Sequence, residues 1–268
     1  MEESKGLSTS SAILLGAILI SGSILMSSGV IKLSSKTAPT GQATPSATPI
    51  SDITAAVKVA TNGFPTVGDK NAQLILIEFS DYECPFCKRH FDQVYPQIKK
   101  DYIDTGKVKL VFRDYPLPFH EPMATYEANA ALCAKEQGGD SVYFKIHDEM
   151  FKQTTSNGTG LTKDKIKSIA ASLGLNAAQI ITCADAAKYK DKITKDIADG
   201  NSAGVSGTPS FFVGKSSSDG LVTAAAMIPG QNQVFVFKTL ENGKVIGNSL
   251  VGAQPYTAFQ AVIDGLLK

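Results

Sequence analysis

Neither sign of charge dominates this chain: 26 lysines and arginines stand against 25 aspartates and glutamates, a net charge of +1 over 268 residues. A nucleic-acid partner, which is held by a basic excess, has no footing in such a balance. Tryptophan is absent, which decides nothing by itself, and histidine occurs only three times. Four cysteines are too few for a disulfide-dense mini-scaffold and more than packing requires, so their spacing carries the information. There is no internal repeat. The length suits one large domain or two small ones.

Charge is also missing from Gly6 to Ile31, and within that stretch Ala12–Ile31 is mostly apolar. A helix of that length spans about 30 Å, the thickness of a bilayer core. The segment 12–31 is expected to be a single-pass signal anchor behind a short tail, 1–11. The alternative is a cleaved signal peptide with Ala12–Ile20 as its apolar region and Ser21-Gly22-Ser23 near the cut, which gives a secreted protein. One lysine against Glu2 and Glu3 weighs against cleavage. No cysteine follows the run to take a lipid. Lys5 precedes the span while Lys32 and Lys36 follow it, so the positive-inside rule leans against an exported C-terminal domain; the thiol chemistry below overrides it. Residues 32–55 contain Ser34–Pro49, a Ser/Thr/Ala/Pro stretch without apolar periodicity. It reads as an extended spacer that cannot bury a core.

The remainder, 56–268, alternates strand and helix signals. Leu74-Ile75-Leu76-Ile77-Glu78-Phe79 is a nearly continuous apolar run, as expected of a central strand buried on both faces. Phe91, Val94, Tyr95 and Ile98 then follow at helical spacing, and Pro96 should kink that helix. Val108–Phe112 is a second strand, completing a parallel β–helix–β crossover. About 116–200 is helical: Pro122–Gln137 is Ala-rich, Val142, Ile146 and Met150 make a face, Thr162 caps a helix stopped by Gly174, and Asn176 with Gln179 reads as a capping box. Ser210–Val213 is a strand, and Val234–Leu240 with Lys244–Leu250 forms a hairpin about Asn242-Gly243. Pro255–Leu267 is the closing helix. The fold class is α/β, one sheet domain with an inserted all-helical block.

Cys84-Pro85-Phe86-Cys87 follows the central strand directly. A lone Cys-x-x-Cys serves zinc and redox sites alike. Here Pro85 occupies the first turn of the following helix, where a missing N–H costs nothing. Cys84 then sits at the helix N-terminus, where free N–H groups and the positive end of the dipole favour a thiolate, the nucleophile of disulfide exchange. Cys87 lies one turn further in, more buried and placed to resolve a mixed disulfide. A zinc site would have to draw on Cys133, Cys183, His90, His120 and His147, none of which forms a second knuckle; no metal is assigned.

Phe79-Ser80-Asp81-Tyr82-Glu83-Cys84-Pro85-Phe86-Cys87 with Phe91 resembles the active-site segment of DsbA-like thioredoxin-fold proteins. Arg113–Leu117 with His120 resembles that family's exit into its helical insertion. Val205–Val213 resembles the cis-proline loop and its strand, and Gly252–Tyr256 with Phe259 the start of the last helix. The resemblance covers about 66–268. It implies a thioredoxin-like fold with an inserted helical subdomain, and a thiol–disulfide oxidoreductase with no cofactor beyond a redox-active Cys84–Cys87 disulfide. Thr208-Pro209 is implied as a cis bond facing the cysteines and lining the substrate groove, with Pro85 and Phe86 tuning the site. Implied partners are reduced or misoxidised exported proteins and a membrane redox partner that reoxidises the pair; the place is the cell membrane, with the domain extracytoplasmic. Phe86 neither donates a hydrogen bond nor carries charge, which points to a milder oxidant. A reductase or isomerase of the same fold, or a non-catalytic tethered binding module, are the other readings.

The stretch between Val213 and Lys244, including apolar Val222–Ile228, is longer than the family's usual link and reads as a longer hairpin, an extra strand pair or a substrate-side loop. Many relatives carry cysteines near Cys133 and Cys183. A bond between these two would close a loop of about 50 residues and add roughly 3–4 kcal/mol; the alternative is two buried free thiols. His90 is expected on the solvated surface and His120 and His147 in structural roles. Asp81 and Glu83 are expected to be solvated strand-end acids, and Lys88 and Arg89 to keep the site wet or favour the thiolate.

Overall fold

The strand expected over Leu74–Phe79 runs on to Ser80 in the computed structural model, which describes residues 56–215, 221–225, 240–241, 244–245 and 247–268. Two strands precede it, β1 (Ala56–Ala60) and β2 (Thr66–Val67), so the central strand is β3 (Leu74–Ser80). Every residue of β3 is buried. Its side chains alternate: Leu74 and Leu76 join one core cluster with Phe91, Phe211 and Phe259, while Ile75, Ile77 and Phe79 join another with Val111, Tyr115 and Phe212. A strand covered on both faces needs apolar residues at consecutive positions, which is what the sequence supplies.

After β3 come α1 (Pro85–Gln93) and α2 (Tyr95–Ile98), separated at Val94, then a π-helical turn over Lys99–Ile103. Pro96 lacks an N–H and cannot continue the α1 ladder, which accounts for the break. The chain returns as β4 (Val108–Asp114), parallel to β3 with Leu76 opposite Leu110. A 3-10 turn, Pro118–His120, leads into the helical block: α3 (Met123–Lys135), α4 (Gly139–Gln153), α5 (Lys163–Ser172), α6 (Ala177–Asp185) and α7 (Lys190–Ser202). Thr162 caps α5 by accepting from Lys165 N, and Gly174 follows that helix with φ of +72°. Asn176 caps α6 through Gln179 N, but the reciprocal half of the expected capping box is made elsewhere: Asn176 N donates to Gln137 Oε1 at 2.8 Å. Gln137, just past α3, thereby ties two helices where a local box would tie one.

Next are β5 (Ser210–Lys215), β6 (Leu221–Ala225), β7 (Leu240–Glu241), β8 (Lys244–Val245) and β9 (Gly247–Val251), and α8 (Tyr256–Leu267) ends the chain. The main sheet has the order β2-β4-β3-β5-β9, with β5 antiparallel to both its neighbours. The long link after β5 provides an extra strand pair: β6 runs antiparallel to β1, with Val59 opposite Val222. Leu240 pairs with Val245 and Glu241 with Lys244, the register a two-residue turn imposes; the outer part of that hairpin, 234–239, lies outside the described residues. So do the tail 1–11, the expected anchor or signal segment 12–31 and the expected spacer 32–55. Among the described residues no helix is long and apolar enough to cross a membrane.

Candidate functional site

The turn from β3 into α1 is built around Asp81. Its Oδ1 accepts from Glu83 N at 2.8 Å, and its carbonyl accepts from Cys84 N at 3.1 Å. The chain is thereby turned so that Cys84 becomes the N-cap of α1, extended at φ −80° and ψ 120°, with Pro85 as the first helical residue. Cys84 is 3% exposed and Cys87 fully buried, and the two sulfurs are not bonded to each other. The Cys87 thiol donates to Cys84, and with the Thr208 side chain and the backbone N–H groups of Cys87 and Phe86 it outweighs burial and lowers the Cys84 thiol to about 6. Burial and the neighbouring Cys84 push Cys87 well above the usual thiol range. One sulfur is thus prepared as an anion and the other held as a thiol.

Across from them stands the loop before β5. The Thr208–Pro209 bond is cis, and the Thr208 carbonyl lies 3.4 Å from Cys84 Sγ. A carbonyl only accepts, so this contact belongs to the protonated thiol.

Beneath the pair, on the β3 face shared with Leu74 and Leu76, is Glu78. It is buried, and desolvation pushes its carboxyl up to about 7. His90 is 3.9 Å from it and is not on the surface as its sequence position in α1 suggested: it is buried against the rings of Phe211 and Phe259, at 4.5 and 5.2 Å. Burial lowers His90 to about 3, so it stays neutral and the approach to Glu78 is not an ion pair. The hydroxyl of Ser80 is buried close to both Glu78 and Cys87. Sequence reasoning passed over Glu78. Its signal was an acid inside an apolar run, in phase with Leu74 and Leu76.

The acids flanking the motif are not solvated either. Asp81 Oδ2 accepts from Leu117 N at 2.9 Å and is 2.7 Å from His120 Nδ1, and Glu83 is fully buried. Both are taken from water by the helical block, which supplies donors in its place. Lys88 Nζ donates to the Phe151 carbonyl at 2.8 Å, and Arg89 to the Ala253 carbonyl at 3.4 Å. These two cations therefore anchor α1 to its neighbours. Phe86, with the Arg89 guanidinium 5.0 Å over its ring, is 52% exposed, and Phe119 beside His120 is 75% exposed. They are the large apolar side chains left open to solvent among the described residues.

Cys133 of α3 and Cys183 of α6 are joined, with Cα atoms 6.0 Å apart. Together with Glu136 they form the one group of metal-ligating side chains found close together among the described residues. Their sulfurs are committed to each other, and Glu136 is held by Lys188 and Tyr189. His147 is buried in a cage of Tyr82, Phe112 and Phe151, away from any such group.

The family model described as Thioredoxin matches residues 60–228. The chain is 27% identical to disulfide bond formation protein D of Bacillus subtilis over 153 residues, which are 56% of this chain and 68% of that one. It is likewise 27% identical over 159 residues to a putative protein-disulfide oxidoreductase of Rickettsia typhi, covering 57% of this chain and 55% of that one. The crystal structure of oxidised BdbD from Bacillus subtilis superposes with a TM-score of 0.60 at 21% identity, over 79% of this chain and 97% of that chain. That of Pseudomonas aeruginosa DsbA2 gives 0.54 at 26% identity, over 76% and 93%.

Proposed function

The chain belongs to the DsbA-like family of thioredoxin-fold thiol–disulfide oxidoreductases, and from that premise we propose that it introduces disulfides into exported proteins through Cys84 and Cys87. The observation that carries this reading is the Cys84 sulfur at the head of α1, lowered to about 6, with Cys87 held as a thiol behind it. A client thiolate attacks Cys84 Sγ of the oxidised pair. The Cys84–Cys87 bond breaks, and Cys87 leaves with the bonding electrons and takes up a proton. The client's second thiolate then attacks the client sulfur of the mixed disulfide, and Cys84 departs as a thiolate. The client loses two electrons and the cysteine pair gains them, so no further cofactor enters the step. A thiol of low pKa leaves faster and is favoured in its reduced state, which supports the oxidising direction over reductase or isomerase flow.

Thr208 and Pro209 line the groove beside the nucleophile, and Pro85 and Phe86 set its environment. Residues 12–31 anchor the protein as a single pass, 32–55 space it from the bilayer, and the catalytic domain works outside the cytoplasm, where a membrane redox partner accepts two electrons and restores the Cys84–Cys87 bond. The Cys133–Cys183 bond suits an oxidising compartment. Labelling of intact cells with a membrane-impermeant thiol reagent tests the placement: reduced Cys84 should react without lysis, and reaction only after lysis overturns it.

The activity is tested with the full-length protein and a reduced, unfolded ribonuclease. Cys84→Ser should abolish catalysed oxidation. With an oxidised, scrambled ribonuclease in its place, the Cys84 thiolate of Cys87→Ser should attack a client disulfide, release one client thiolate and hold the other in a trapped mixed disulfide, because Cys87 is not there to resolve it. Undiminished oxidation by Cys84→Ser sinks the assignment.

A further inference from the structure

The residue before the nucleophile carries a buried carboxylate, and its partners are unusual. Glu83 Oε2 accepts from Gly158 N at 2.7 Å, Gly160 N lies 2.9 Å from both carboxylate oxygens, and Leu161 N donates to Oε1 at 3.2 Å. The Glu83 carbonyl takes a further bond from Asn157 N at 2.7 Å. All these donors belong to the loop joining α4 to α5. That loop makes its amides converge by holding three successive residues in the left-handed region: Ser156, Asn157 and Gly158, at φ of +67°, +64° and +79°. Two of the three are not glycine, so the conformation is costly and persists because the surroundings impose it. A run of backbone N–H groups folded into a concavity is an anion site. Here the anion is a side chain of the protein itself.

The loop is fitted to this task. A Cβ at Gly160 would overlap Thr154 Oγ1 and stand 2.5 Å from Ser156 N and 3.0 Å from Glu83 Oε1. A Cβ at Gly158 would stand 3.4 Å from the Cα of His120. The remaining charged groups around Glu83 are few. Glu127 of α3 faces it, fully buried and with neither oxygen in a well-formed hydrogen bond. Burial and the adjacent Glu83 hold Glu127 protonated, with its pKa pushed up to about 11. Asp81 of the same turn is paired with His120. The loop amides are therefore the principal counterweight to the Glu83 charge.

We propose that Glu83 is a positioning residue of the redox centre: its carboxylate docks the α4–α5 loop of the helical block against the active-site turn, and the docked loop in turn shields Cys84 from the carboxylate's charge. With the loop in place the N–H groups spread that charge, and the thiolate one residue away does not feel it. With the loop displaced, an unshielded negative charge stands beside a forming thiolate and raises its pKa. The helical block thus sets the acidity of the nucleophile through one side chain. The inference rests on Cys84 being the reactive thiol, but its readout needs no client.

The test is the pH titration of Cys84 in the reduced full-length protein, followed by thiolate absorbance and by alkylation rate. Gly160→Ala displaces the loop and should raise the Cys84 titration by about one unit, a tenfold loss of thiolate below it. Glu83→Gln alone should leave it nearly unchanged, because the charge it removes is already shielded. Gly160→Ala with Glu83→Gln should return the titration to that of Glu83→Gln. The milder pair, Gly158→Ala with and without Glu83→Gln, gives the same cycle if Gly160→Ala does not fold. A shift that persists in the double variant, or no shift on displacing the loop, overturns the proposal. Loss of client oxidation with the titration cycle intact would instead count against the oxidase reading.

Discussion

Cys84 Sγ lies 3.4 Å from the carbonyl oxygen of Thr208, a residue 124 positions later in the chain. The same sulfur receives the Cys87 thiol, the Thr208 side chain and the backbone N–H groups of Cys87 and Phe86. The sulfur therefore stands between an acceptor and a set of donors. Protonated, it donates to the Thr208 carbonyl; ionised, it loses that bond and keeps the donors, the Thr208 side chain among them. The donor set is the larger, which is why the thiol is acidic despite its burial.

This arrangement fixes a pH dependence. Alkylation of the reduced protein at Cys84 should reach half its plateau rate near pH 6, with Cys87 silent over the same range. The folded value is depressed below the ordinary 9.0, so ionisation adds stability above the unfolded value and that stability is lost as pH falls through about 6. The oxidised protein has no such group. Chemical denaturation of the two forms should therefore show the reduced form gaining on the oxidised form between these limits, by a few kcal/mol in all. A gap that does not change with pH would remove the thiolate from the argument.

Much of this site was legible in the sequence, because its main parts are local. A continuous apolar run specifies a doubly covered strand, and Pro85 after Cys84 specifies a helix start. The misread residues are those whose surroundings come from far away. Asp81 and Glu83 look like strand-end acids until Leu117 N and the amides of Gly158, Gly160 and Leu161 arrive from the helical block. His90 was a smaller failure: Cys87, His90 and Phe91 share one buried face of α1 at spacings of three and four, so the periodicity already held the answer. Glu78 was hidden by its apolar neighbours, and only the alternation along β3 reveals which helices cover it.

Two buried carboxyls should make the protein more stable when they are removed. Glu78 is raised to about 7 and Glu127 to about 11, both chiefly by desolvation. A raised carboxyl binds its proton more tightly when folded, so stability falls as pH climbs from the unfolded value toward the folded one. Glu127→Gln should therefore stabilise the protein little at pH 5 and by a few kcal/mol at pH 8–9, with Glu78→Gln smaller and complete soon after pH 7. Urea midpoints across that range decide it; equal effects at both ends would mean the carboxyls are solvated.

The Cys133–Cys183 bond joins α3 to α6 across 50 positions. Replacing both cysteines by alanine should cost about 2–4 kcal/mol, mainly through the unfolded chain. The effect should appear as a lower denaturation midpoint, while the Cys84 titration stays where it was, because neither sulfur touches the redox pair. A moved titration would show that the helical block transmits strain to the nucleophile by a route other than the α4–α5 loop.

Phe86 offers direct control over the reduction potential of the Cys84–Cys87 pair. Its backbone N–H already helps the Cys84 thiolate, but its ring adds neither charge nor a donor. Phe86→His keeps the backbone and a planar ring and adds a donor that favours the ionised sulfur. The Arg89 guanidinium, 5.0 Å over the present ring, disfavours a second cation there, so the gain should come mainly from the neutral imidazole and stay modest. The Cys84 titration should fall by about half a unit to one unit, and the reduction potential should rise by up to about 30 mV, since each unit and each 30 mV of a two-electron couple represent about 1.4 kcal/mol. Phe86→Leu is the control: it removes the exposed aromatic ring without adding a donor and should leave both quantities unchanged. If the two variants moved the potential equally, loss of the phenyl group and of its contact with Arg89, which both share, would account for the change rather than donation to sulfur.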